Sequence, residues 1–146
     1  MNIESYFNNA KVSMFRFEAL QVYDVGVDDM SDEEMIPWRA FVKEKVESGV
    51  LMQRVRLLTY PLTDYTIREL EIHKKSVVCG DDIRTVDSEI FNRLNIEAKD
   101  FWLIDDEVCL EMNYGESGKW LGFEMSNDIE KYIKIKEVLL RNSTPL

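Results

Sequence analysis

A chain of 146 residues, 45% hydrophobic and 11% aromatic, is long enough to bury one ordinary core and too short to divide into two domains. Its 18 basic against 28 acidic residues leave a formal net charge of -10, which repels phosphate backbones and argues against direct nucleic-acid binding, a ribonuclease-like toxin with a basic cleft included. No run approaches membrane-spanning length and the opening MNIESYFNNAK lacks the basic and apolar regions of a secretory signal, so the expectation is a cytoplasmic protein without membrane attachment.

In chain order, Ile3 to Asn9 suits a short helix, and VSMFRFEAL alternates Phe15 and Phe17 with Met14 and Arg16, which predicts a strand with one aromatic face. Asp24 to Glu34 is acidic, carries Gly26 and has few apolar residues, as expected of a loop. Ser31 with Glu34 fits a capping box, Pro37 suits a first helical turn, and Gly49 stops a helix whose face carries Trp38, Phe41, Val42 and Val46. LMQRVRLLT then reads as a strand. Its period of two puts Val55, Leu57 and Thr59 on one face and Arg54, Arg56 and Leu58 on the other.

Pro61 ends that strand, and Thr63 or Asp64 can cap a helix running to about Lys74. Gly80 supplies a turn, DIRTV reads as a short strand, and Asp87 or Ser88 can cap a brief helix containing Ile90, Phe91 and Leu94. FWLID, EVCLEMNY and WLGFEM predict a three-stranded antiparallel meander. Val108, Leu110, Met112 and Tyr114 share one face of its middle strand, and Leu121, Phe123 and Met125 share one face of its last. Asn127 with Glu130 can cap a terminal helix whose stripe is Ile129, Tyr132, Ile133, Leu139 and Leu140. The predicted fold class is α+β: a single domain, mainly antiparallel, with three or more helices on the sheet.

The combination of QRVR, PLTDY, a later DIR, DFWLIDDEV and the final GESGKWLG resembles a family of small uncharacterised bacterial proteins abundant in actinobacteria. The resemblance spans most of the chain, from about Phe15 to the terminal helix, and extends to the Pro145-Leu146 tail. It implies a single-domain cytoplasmic protein encoded near helix-turn-helix regulators, and it implies no catalytic residues.

The densest collection of chemistry lies between Gln53 and Arg84. Arg54 and Arg56, side by side on one strand face, can fork onto a phosphate or carboxylate, or pair with acidic residues of a neighbouring element. Asp64 suits a cap and Tyr65 a tethered packing residue, yet both can stand beside Arg68 and Glu69 around a pocket. Asp82, Arg84 and Trp102 complete the candidate set, Trp102 because it faces away from Phe101 and Leu103. The other aromatic side chains, Trp38, Trp120 and Phe123 among them, could line a ligand pocket or stack bases, but packing in the core is the stronger reading. Asp81-Asp82 and Asp105-Asp106 read as turn chemistry rather than a metal centre, and His73 has no nucleophile near it in sequence. Cys79 and Cys109 form no Cys-x-x-Cys pair and read as small buried apolar residues. No cofactor or metal is expected.

Two functions fit. The favoured one is a non-catalytic interaction module that engages another protein, such as a basic helix-turn-helix regulator, through its acidic surface. The alternative is a small ligand-binding domain or enzyme acting on an anionic metabolite or nucleotide at the Arg54/Arg56 and Asp64-Tyr65 region. They separate on one geometric question, whether Arg54, Arg56, Asp64, Tyr65 and Glu69 converge on one concavity.

Overall fold

A computed structural model describes residues 2–21 and 32–146. The expected acidic loop lies outside the described residues except for its last three, Asp32, Glu33 and Glu34, which with Met35 form a short 3-10 turn, and Ser31 of the expected capping box lies outside them too. Helix α1 (Ile3–Asn9) is capped by Asn2, whose side chain accepts from the Ser5 amide at 3.0 Å. Strand β1 (Ser13–Glu18) follows, then α2 (Ile36–Glu47) with Pro37 in its first turn. Gly49, at φ +95°, turns the chain into β2 (Leu51–Leu58).

Helix α3 (Asp64–Val78) starts at Thr63, which accepts from the Thr66 amide at 3.0 Å, so Thr63 is the cap and Asp64 the first helical residue. It runs four residues past the expected Lys74, until Gly80 at φ +107° reverses the chain. Strand β3 (Asp82–Asp87), helix α4 (Ser88–Asn92) and strands β4 (Phe101–Ile104), β5 (Val108–Tyr114) and β6 (Trp120–Ser126) come next. Helix α5 (Ile129–Arg141) is capped by Asp128 rather than by Asn127, and a two-residue strand β7 (Thr144–Pro145) that the sequence pattern does not announce closes the order.

The fold is α+β, with five α-helices among the described residues and a seven-stranded open sheet in the order β6-β5-β4-β1-β2-β3-β7. The sheet is mixed, which corrects the mainly antiparallel expectation: β1, β2 and β3 run parallel at its centre. The reason lies in the connections. Helices intervene between β1 and β2 and between β2 and β3, and a crossover of that length returns the chain in the same direction. Strands β4, β5 and β6 pair antiparallel in sequence order beside β1, and β7 pairs antiparallel with β3.

Period-two alternation divides the side chains between two layers. Phe15, Phe17, Val55, Leu57, Phe101 and Leu103 face α4 and α5, meeting Phe91, Tyr132 and Leu139. Met14, Met52, Trp102, Ile104, Leu110 and Met112 face the other way, meeting Val42 of α2 and Phe7 of α1. Leu121 and Met125 stay 64% and 54% exposed, and Phe123 of that strand packs against this layer. Strand β6 is a sheet edge with a register shift opposite Asn113/Tyr114 and Gly122 at φ +118°, which breaks the alternation at Leu121; Met125 stays opposite Leu110, and its sulfur accepts from the Tyr6 hydroxyl at 3.3 Å.

Helix α3 departs from the usual amphipathic rule. Its buried residues, Thr66, Glu69, His73 and Ser76, are all polar and spaced at helical intervals, while Ile67 and Val78 are exposed. A helix that turns polar side chains inward must meet polar partners there, because unpaired burial of such groups is costly. That inversion locates the site.

Candidate functional site

Between α1, α2, α3 and the adjoining face of the sheet lies a cavity of about 790 Å³. Aromatic walls come from Phe7, Trp38, Tyr65, Trp102, Tyr114 and Trp120, and charge comes from Arg16, Glu18, Glu34, Arg54, Glu69 and Lys119, with His73 among them. All three tryptophans of the chain line it. The volume sits within the range of roughly 300–1,000 Å³ that suits small-molecule sites.

The floor is an ion-pair network. Arg54 and Arg56 project from the same face of β2, as period two requires, and both reach Glu18 on parallel β1: Arg54 Nη1 bonds Oε1, and Arg56 Nη1 bonds Oε2 at 2.9 Å. Arg56 is fully buried and also donates to the Leu20 carbonyl at 3.3 Å. Beside them Arg16 pairs with buried Asp100 at 3.0 Å and donates to the Tyr114 hydroxyl at 2.8 Å. Asp100 in turn accepts from the Ala19 amide at 2.8 Å. Burial alone would raise the Glu18 carboxyl, but the Arg54 and Arg56 guanidiniums overcome it and hold the group well below the usual carboxylate range.

Above the network the arginines meet rings. The Arg54 guanidinium lies 5.5 Å from the Trp102 ring centre and 5.8 Å from that of Trp38, and Arg16 lies 5.7 Å from Trp102. Trp102 packs edge-on to Trp38 at 5.9 Å and against Phe7 at 4.7 Å. On α3, the Tyr65 hydroxyl donates to Glu69 Oε1 at 2.6 Å, one turn along the helix, and His73 Nε2 stands 3.6 Å from Glu69 Oε2. Burial first, then the Glu69 bond, raise the Tyr65 hydroxyl far above its ordinary value. Burial also lowers His73 to about 4, so its imidazole is neutral at physiological pH.

The sequence-derived candidates divide. Arg54, Tyr65, Glu69 and Trp102 converge on the cavity, and Arg56 sits behind its floor. Asp64 and Arg68 do not line it; they are exposed on the outward side of α3. Asp82 and Arg84 leave the site altogether, pairing with one another at 3.1 Å on the sheet face that carries Val86 into the opposite core. Sequence reasoning missed Arg16, Glu18, Trp38, His73, Tyr114 and Trp120 as site residues. Two of these were findable: Arg16 and Glu18 alternate with Phe15 and Phe17 in a strand whose every position is buried. Charges on such a strand need partners across it.

Asp105 and Asp106 form the β4–β5 turn, both at positive φ, whereas Asp81 is buried and Asp82 opens β3. Asp105 Oδ1 accepts from the amides of Val12 at 2.7 Å and Ser13 at 3.0 Å, and Asp106 bonds Lys136 at 2.5 Å. Among the described residues no three His, Cys, Asp or Glu side chains gather to hold a metal ion. Cys109 is buried, Cys79 half-buried, and burial pushes the Cys109 thiol up to about 12. No helix among the described residues is long and apolar enough to cross a membrane.

The family model described as Domain of unknown function (DUF6879) matches residues 1–146. The chain belongs to that family. Comparison with curated proteins finds no significant match. For this DUF6879 chain, then, the geometry of the cavity carries the functional argument.

Proposed function

We propose that this DUF6879 chain is a non-catalytic binding domain that takes a small planar organic molecule into the cavity beside α3. The observation that carries the reading is the convergence of Trp38, Trp102 and Trp120 with Tyr65, Glu69 and Arg54 on one space of ligand size. Flat aromatic walls favour a flat guest, and a few fixed polar groups orient it.

The ionisable groups support binding over catalysis. Glu18 is held ionised by its two guanidiniums, His73 is held neutral by burial, and Tyr65 and Tyr114 are held protonated. A general acid or base works best with a pKa near the working pH, and none of these groups stands there. The setting proposed with this reading is cytoplasmic, where Cys79 and Cys109 persist as thiols.

The test is titration of the chain with planar organic compounds, read by tryptophan fluorescence and by heat of binding. The expected result is saturable quenching, weakened at least tenfold in Trp120→Ala, whose side chain is 42% exposed and removable with little loss of core. Compounds that leave both signals unchanged would sink the reading.

A second reading rests on a different observation. Strand β6 is an open sheet edge bearing exposed Trp120, Leu121 and Met125, and such an edge is a surface for a partner protein. With a net charge of -10, the fitting partner is basic, for instance a helix-turn-helix regulator. Association that weakens with salt and is lost in Leu121→Lys is the expected behaviour; association unaffected by both would dismiss it.

A further inference from the structure

We infer that the cavity selects an uncharged or cationic nitrogen heterocycle bearing N–H donors, and discriminates against its phosphorylated counterpart. This rests on the binding reading above and adds the ligand's charge and hydrogen-bonding edge.

The first ground is charge. The arginines that face the cavity are held by carboxylates: Arg54 by Glu18 on the adjoining strand, and Arg16 by Asp100 at 3.0 Å. Glu18 also holds Arg56 from behind at 2.9 Å, so one carboxylate already serves two guanidiniums. Lys119 adds one positive charge to the lining and Glu34 and Glu69 add two negative ones, so that with three guanidiniums on two carboxylates below them the charges around the cavity balance and leave no surplus cation for an anion. A phosphate entering this space would have to displace a buried carboxylate from its guanidinium, leaving that carboxylate desolvated and unpaired. It would do so inside a chain whose overall field repels anions.

The second ground is spare hydrogen-bonding capacity. Glu69 Oε1 accepts from Tyr65 at 2.6 Å, whereas Oε2 has only the His73 ring at 3.6 Å, beyond hydrogen-bond reach. His73 is 5% exposed, and its Nδ1 has no hydrogen-bond partner among the described residues. The unused capacity that this wall offers a guest is thus the Glu69 carboxylate, an acceptor, and it stands beside flat rings. An amino-substituted heterocycle supplies both complements, N–H groups on its edge and a π-face for Trp38, Trp102 or Trp120.

The experiment compares adenosine, cytidine and guanosine with their 5′-monophosphates and with inorganic phosphate, by calorimetry and tryptophan fluorescence, on the wild-type chain and on Glu69→Gln. Glu69→Gln keeps the shape and removes the charge. The expected result is that at least one unphosphorylated compound binds, at least tenfold more tightly than any monophosphate, and loses at least tenfold in Glu69→Gln. If monophosphates or phosphate bind as well or better, the ligand class is overturned while the binding cavity stands. Equal affinity of Glu69→Gln would also overturn it. If no probe of either charge binds, the cavity reading falls, and this inference with it.

Discussion

At the scale of single residues, three atoms on α3 or just beyond it are buried without a hydrogen-bond partner among the described residues: His73 Nδ1, Ser76 Oγ and Asp81 Oδ1. Buried polar atoms in that condition cost stability, and the two groups among them that titrate, His73 and Asp81, make folding sensitive to pH. Burial lowers His73 from 6.5 to about 4, and burial, aided by Glu18 and Asp82 against the pull of Arg54, raises Asp81 from 3.8 to about 6. For His73 the unfolded chain binds the proton more readily, so its contribution is whole above pH 6.5 and is lost as pH falls toward 4. For Asp81 the folded chain binds the proton more readily, so its contribution is whole below pH 3.8 and is lost as pH rises toward 6. Each is on the order of 3 kcal/mol and they oppose one another across the same window. We therefore expect Asp81→Asn to lose more stability than the wild type on going from pH 6.5 to pH 4, and His73→Gln to lose less, by urea unfolding at a series of pH values. Parallel profiles for all three proteins would refute the assignment.

Individual elements show how much the sequence makes legible. Period-two alternation places Arg54 and Arg56 on one face of β2 and turns Trp102 away from Phe101, and both orientations are present. Helical spacing was harder to apply. Asp64, Tyr65, Arg68 and Glu69 are adjacent in sequence, but a helix distributes them around its axis, and only Tyr65 and Glu69 reach the cavity. Glu18, the partner of both arginines, is brought to them by the parallel pairing of β1 with β2, a contact across 36 and 38 residues that no local pattern encodes. The two-residue β7 is too short for any period to be visible.

The turn after α3 is legible and makes a separable prediction. Gly80 has φ +107°, and a Cβ there would stand 2.8 Å from Val46 Cγ1 on α2. Gly80→Ala therefore suffers backbone strain of about 1–3 kcal/mol together with a clash. The double variant with Val46→Ala is expected to recover the clash and retain the strain, which a denaturant-melt cycle resolves. Additive losses in that cycle would show that the two residues do not meet as described.

At the scale of the whole molecule, the sheet separates two cores of different character. The face toward α4 and α5 is closed by Tyr132 and Leu139 and is apolar throughout its centre; the face toward α1, α2 and α3 combines apolar side chains with the ion-pair network and the cavity. The tryptophans all lie on the second face, so their fluorescence reports on that side alone. Leu139 is fully buried at the first. Truncating it in Leu139→Ala opens a void against the α5 side of the sheet and is expected to cost about 2–5 kcal/mol in denaturant unfolding. The native emission spectrum and the affinity for a cavity ligand should remain those of the wild type. Trp102→Leu, which removes a 6%-exposed ring packed between Phe7, Trp38 and Arg54, should instead alter all three. If Leu139→Ala shifted the native emission as much as Trp102→Leu, strain would be passing through the sheet and the two cores would be mechanically one.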